Sequence, residues 1–141
     1  MEQPNIPLCT NVEELEKIQL GNNVTAGWFL HGICGVFALE LHKKFGYEIE
    51  VVTESPSATV WQHSIIHIYC KSGKRYIDAR GVFLEKNLLL KEFEDFFDTP
   101  GFISIASEEL KEFLLCCMSK SELQSFSLQA EKLIELQDNY S

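Results

Sequence analysis

Positive charge is in short supply in this chain. Twelve Lys and Arg face 21 Asp and Glu among 141 residues, a formal net charge of −9. That balance opposes the phosphate neutralisation on which nucleic-acid binding rests and disfavours an anionic membrane surface, so neither is expected as a partner. Cysteine is sparse and shows no pairing pattern: Cys9, Cys34, Cys70, Cys116 and Cys117 make an odd count without a CxxC spacing. A disulfide framework is thereby excluded, and a reducing compartment fits best. Long apolar runs are missing too. No window approaches the roughly 20 residues needed to span a bilayer, and Met1-Glu2-Gln3-Pro4-Asn5 lacks the basic start and apolar stretch of a Sec signal peptide. The expectation is a soluble cytoplasmic protein; one secreted into a host cell without a cleaved Sec signal would read the same way. Repeats and low-complexity tracts are absent.

What is present is enough apolar material for one core: 45% of residues are hydrophobic and 11% aromatic. A single domain over 1–141 is expected. The acidity is unevenly spread. Residues 1–80 hold seven basic and nine acidic side chains, residues 81–141 five and twelve. The second part reads as an acidic helical region, 84–141, and its helices offer a surface for a basic protein partner.

Asn11 with Glu14 three residues on makes a capping-box start for a short helix carrying Val12, Leu15 and Ile18. A second helix begins at or just before Cys34, with Cys34, Phe37, Ala38, Leu41 and Phe45 on one face and Gly46 as its stop. Tyr47 to Val52 reads as a strand. Val60 to Cys70 and Lys74 to Val82 read as two more, joined at Lys71-Ser72-Gly73 as a hairpin. Helices are then expected around Leu88 to Phe97, over Ser107 to Met118 and over Ser121 to Gln137, the last two opened by serine caps. The predicted class is α+β: amino-terminal helices, a small antiparallel sheet, and carboxy-terminal helices packed against it.

One constellation could carry chemistry. Cys34 lies in Gly32-Ile33-Cys34-Gly35, where a loop enters a helix. A helix N-terminus favours negative charge, so a thiol there gains thiolate character, and the free N–H groups beside it can serve as an oxyanion hole. The plain alternative is a small apolar residue packed in a core. If Ser72 and Gly73 form a two-residue turn, paired residues sum to 145, and His67 falls opposite Asp78. Opposed residues on one face have Cβ atoms about 4.5–5.5 Å apart, so the aspartate could orient the imidazole as a base for the cysteine. His63, four residues earlier and on the same face, is the rival base, but its partner would be Val82. His31 is close in sequence to Cys34 without an evident carboxylate, and His42 reads as solvated. A metal is not expected: Cys34, His63, His67 and Asp78 are ligand types without metal-site spacing. Cys70 should pack on the sheet face away from His67 and Tyr69, and Cys116 and Cys117 read as one core and one surface residue. Trp28 and Trp61 read as core anchors or cleft walls, and Gln62, Asn22 and Asn23 as alternative side-chain donors to an oxyanion hole.

Gly32-Ile33-Cys34-Gly35-Val36-Phe37-Ala38, His67-Ile68-Tyr69 and Tyr76-Ile77-Asp78-Ala79-Arg80-Gly81 together resemble the Cys-His-Asp order of papain-like cysteine hydrolases. The likeness covers about residues 27–83 and leaves the first 26 residues and the acidic helices unmatched. The small bacterial and phage-type domains it points to include peptidases, cell-wall amidases, transglutaminase-like enzymes and protein-glutamine deamidases used as bacterial effectors. The resemblance implies a papain-like fold with Cys34 as nucleophile, His67 as general base and Asp78 as its orienter. It further implies a protein or peptide substrate and no cofactor. Ile33, and the lack of a glutamine a few residues before Cys34, depart from the pattern. Two functions follow as expectations. One is a cysteine-dependent amide hydrolase, deamidating or cleaving through a thioester; the other is an inactive papain-like module that binds a basic partner.

Overall fold

A computed structural model describes residues 9–21 and 23–141. The chain is mixed α and β, as its patterning suggests, and is built around one helix. Helix α1 (Val12–Leu15) is opened by the full capping box of Asn11 and Glu14. It ends a turn earlier than the apolar spacing suggests, because the chain turns into a short ribbon of β1 (Gln19–Gly21) and β2 (Val24–Thr25). Helix α2 (Trp28–His31) leads into α3 (Cys34–Phe45), which Gly46 closes in the left-handed region at φ 75°. That conformation costs glycine little and other residues more.

The apolar stripe on α3 predicted a helix with one buried face, yet every residue from Gly35 to Leu41 is buried, including Glu40. The reason is its position. The sheet lies against one side of α3, and α5 (Ser107–Cys117) and α6 (Lys120–Gln137) close over the others. The acidic carboxy-terminal helices therefore pack chiefly on α3 rather than on the sheet. Ser119, not Ser121, caps α6, with Glu122 completing a capping box; α5 follows Ala106 without a side-chain cap.

Five antiparallel strands form the sheet in the order β6-β5-β4-β3-β7. They are β3 (Glu48–Thr53), β4 (Ile65–Ser72), β5 (Arg75–Asp78), β6 (Gly81–Phe83) and β7 (Gly101–Ile105). The last pairs with β3 and was not foreseen, since a five-residue run after Pro100 carries little local signal. Between β3 and β4, Trp61–His63 form a 3₁₀ turn; helix α4 (Lys86–Leu90) and a second 3₁₀ segment (Lys91–Phe96) follow β6. Ile49, Val51, Ile68, Cys70 and Ile77 join the main core, where the Cys70 thiol donates to the Ala38 carbonyl of α3 at 3.2 Å. Tyr69 and Val52 instead pack with Leu89 and Leu90. Cys70 thus faces away from Tyr69, as strand alternation requires. Among the described residues no helix is long and apolar enough to cross a membrane.

The hairpin register differs from the predicted one. Ser72 pairs with Arg75, Lys71 with Tyr76 and Cys70 with Ile77, so paired residues sum to 147 and the turn is Gly73-Lys74. Gly73 takes a φ of 63°. A type II′ turn needs a positive φ at its first central residue, and glycine is the residue that accepts it; a turn centred on Ser72-Gly73 would put that demand on Ser72.

Candidate active site

A slip of two residues preserves which face a side chain occupies, so it moves Asp78 from opposite His67 to a diagonal position on the same face. Long side chains bridge such diagonals. His67 Nε2 and Asp78 Oδ2 stand 3.0 Å apart, with both residues buried. Asp78 ends β5, and the turn after it folds Arg80 back on the carboxylate. The Arg80 backbone N–H and Nε donate to Oδ1 at 2.9 and 3.2 Å, while Nη2 donates to Oδ2 at 2.6 Å and to the Leu89 carbonyl at 2.9 Å. The guanidinium also lies over the Phe83 ring, 4.5 Å from its centroid. Each Asp78 oxygen is thus held on more than one side, and the imidazole is aimed by a fixed group.

Aromatic rings pack against the His67 imidazole. Phe93 stacks on it with centroids 4.3 Å apart, and Tyr69 stacks at 5.9 Å. Tyr69 is anchored by its hydroxyl to Glu50, a buried carboxylate that also takes Lys71 at 3.2 Å and Lys86 at 3.0 Å. With Nε2 committed to Asp78, the ring nitrogen left is Nδ1, which is buried without a hydrogen bond. The Cys34 thiol lies close enough to act on the imidazole, although the two do not meet hydrogen-bond geometry. Burial alone would lower the His67 pKa. The bond to Asp78, together with the neighbouring Cys34 sulfur, outweighs it and raises the value to about 9. Burial would likewise raise Asp78, but His67 and Arg80 pull it down to about 2.

Cys34 is the first residue of α3 and half-buried; the preceding Ile33 offers no side-chain cap. The first N–H groups of a helix have no intrahelical acceptor, and those of Cys34 and Gly35 open α3 beside the sulfur. A cleft of about 370 Å³ opens at the sulfur.

The remaining residues singled out in the sequence fall elsewhere. His63 is exposed in the 3₁₀ turn before β4, so it does not share a strand face with His67. His31 is at the mouth of the Cys34 cleft and does have a carboxylate, Glu92, at 3.3 Å, supplied by a segment distant in sequence. His42 is half-buried rather than fully solvated, with its Nδ1 2.8 Å from the Tyr47 carbonyl. Cys116 and Cys117 are both exposed, near the end of α5, and Cys117 borders the cleft. Trp61 is buried and donates to Glu109 at 2.7 Å; Trp28 packs on Phe126, and neither lines the cleft. Gln62 and Asn23 do not line it either, and Asn22 lies outside the described residues. Among the described residues no three His, Cys, Asp or Glu side chains are grouped to hold a metal ion. Arg80 and Phe93 are the site residues that sequence reasoning missed. The D-x-R spacing at a strand end was a usable signal for Arg80; Phe93 reaches His67 only through tertiary packing.

Both ends of the described chain brace the Asp78 turn. Thr10 N–H donates to the Arg80 carbonyl at 2.6 Å, the Cys9 thiol to the Val82 carbonyl at 3.2 Å, and the Tyr140 hydroxyl to the Ala79 carbonyl at 2.7 Å. Tyr140→Phe would leave that buried carbonyl without its donor. The expected cost is about 1–3 kcal/mol, read as a lower urea midpoint at unchanged slope. An unchanged midpoint would show that the turn stands without the hydroxyl.

No protein-family model matches the chain, and neither a curated protein nor a solved structure does.

Proposed function

We propose that the protein is a cysteine-dependent amide hydrolase of papain-like type, with Cys34 as nucleophile, His67 as acid and base, and Asp78 as the residue that positions His67. The observation that carries this reading is a buried imidazole with one nitrogen on a carboxylate, the other without a hydrogen bond, and a helix-start cysteine as its neighbour. A cysteine placed only for packing needs no histidine beside it. The likeness of the three segments around these residues to papain-like hydrolases supports the same assignment.

In this reaction the Cys34 sulfur attacks the carbonyl carbon, and the Cys34 and Gly35 N–H groups receive the oxygen as it gains charge. The C–N bond breaks as the His67 imidazolium gives its proton to the leaving amine or ammonia. Water, deprotonated by His67, then cleaves the thioester and releases the acid. Asp78 stays ionised throughout and holds the ring.

Iodoacetamide alkylation of Cys34 at pH 7, followed by mass spectrometry, tests the reading. Beside the His67 imidazole the Cys34 sulfur should react roughly tenfold faster than free cysteine. His67→Ala should bring it back to the free-cysteine rate. A wild-type rate no higher than free cysteine, or one indifferent to His67→Ala, would overturn the assignment.

A further inference from the structure

The two edges of the sheet differ. At one, β6 is three residues long, Cys9 bridges to Gly81, and the Thr10 N–H takes the neighbouring Arg80 carbonyl. At the other, β7 runs five residues in unbroken register with β3, and none of its backbone groups bonds to any other described residue. Alternate residues of an antiparallel strand turn their N–H and C=O to opposite sides, so the outer edge of β7 presents a row of unpaired groups. Such edges are ordinarily blunted by a charged side chain, a proline or a bulge. Gly101-Phe102-Ile103-Ser104-Ile105 has none of these. Phe102, 40% exposed, borders a hollow of about 390 Å³ whose apolar walls are Leu90, Phe97 and Pro100. Of the two lysines there, Lys86 is bound to Glu50 and lies on the Phe102 ring, and Lys91 shares the hollow with Glu94.

The chain on either side of β7 is acidic. Residues 92–112 hold seven acidic side chains and one basic one, Lys111. Glu94, Asp95 and Asp98 on the way in, and Glu108 and Glu112 on the way out, are exposed. Asp98 and Glu108 each stand three residues from an end of the strand. That is at most about 10 Å of chain, roughly one Debye length at moderate salt, so both carboxylates act on whatever lies along the edge.

We propose that the outer edge of β7 takes an extended segment of a basic partner protein as a sixth strand of the sheet. The segment has an uncharged centre along Gly101–Ile105, Lys or Arg at both ends, and an apolar side chain beside Phe102. Main-chain hydrogen bonds supply the attachment and the flanking charges choose the partner. A second copy of this chain suits the edge less well. Two β7 strands paired antiparallel, Gly101 to Ile105, would bring Asp98 of each toward Glu108 of the other, and like charges so placed repel. The interaction needs no turnover at Cys34 and does not depend on the hydrolase reading.

The probe is a fluorescein-labelled peptide, Lys-Arg-Val-Thr-Ile-Thr-Val-Arg-Lys, titrated with the full chain at low salt and followed by anisotropy. It should bind saturably, and a copy with Glu at the flanking positions should bind at least about tenfold more weakly. Two N-methylated forms test the pairing itself. Methyl groups on the two threonine nitrogens, or instead on the valine and isoleucine nitrogens, block opposite edges of the peptide strand, so one form should lose binding and the other keep it. Amide exchange at Gly101–Ile105 should slow when the peptide binds. Asp98→Lys, a change at an exposed position, should weaken the Lys-flanked peptide severalfold and strengthen the Glu-flanked one. No saturation below about 1 mM, or the same affinity for both methylated forms, would overturn the proposal. A chain that sediments as a dimer at micromolar concentration, with Gly101–Ile105 protected in the absence of peptide, would also overturn it and give the edge to a second copy.

Discussion

Replacing Arg80 with glutamine is expected to cost about 3–5 kcal/mol of folding free energy, a large share of what holds a domain of this size together. Asp78 is 2% exposed and has no water to fall back on. Its two oxygens take three bonds from Arg80 in addition to the one from His67. Removing the guanidinium leaves a buried carboxylate with only the imidazole and the residue-80 backbone N–H, frees the Leu89 carbonyl and empties the space over Phe83. Arg80→Lys keeps the charge but not the planar fork, so it should lie between the two. Urea midpoints measure both, and a loss below about 1 kcal/mol for Arg80→Gln would show that Asp78 is held without its help. The two cations share Oδ2, so loss of Arg80 also relieves repulsion on the His67 imidazolium.

Stability should fall as pH rises from 6.5 toward 9. The folded protein holds the His67 proton up to about 9, whereas the unfolded chain releases it near 6.5. The contribution is therefore complete below pH 6.5 and disappears as pH passes through the folded value; its size is on the order of 3 kcal/mol. Asp78 acts at the other end. Its pKa is lowered to about 2, so its contribution is complete above the usual carboxylate range and disappears as pH falls toward 2. Much of both shifts is the same His67–Asp78 interaction and counts once. Urea unfolding at pH 6 and pH 8.5 measures this, below the range in which the Cys9 thiol, pushed up to about 11 mainly by burial, acts. His67→Gln should flatten the dependence. A wild-type midpoint indifferent to pH over this interval, or the same slope in His67→Gln, would rule the account out.

Much of this arrangement can be read from residue order, because its causes are local. The helix start at Cys34 and the Gly46 stop follow from apolar spacing and a left-handed cap. Asn11 and Glu14 announce their capping box. His67 and Asp78 share a face in any register that differs by an even number of residues, so the pair is legible even though the predicted register was two residues out. Parity is a property of the strand; register belongs to the turn, and there the sign of one φ at Gly73 decides it.

What lay beyond the sequence has a common physical origin: contacts between segments far apart in the chain, with no pattern of their own. Strand β7 exists because the β3 edge accepts it. The acidic helices cover α3 because the sheet has already taken its other side. Phe93 seals His67, and Glu92 finds His31, through packing across the sheet end. The cleft at Cys34 exists because three elements meet there, each contributing side chains that look like ordinary core when read alone. The sequence by itself determined which residue types stand at the helix start and on the strand face. The tertiary structure alone decided that Arg80 clamps Asp78, that His67 is buried against Phe93, and where the cleft at the sulfur opens, because each depends on burial shared by distant residues.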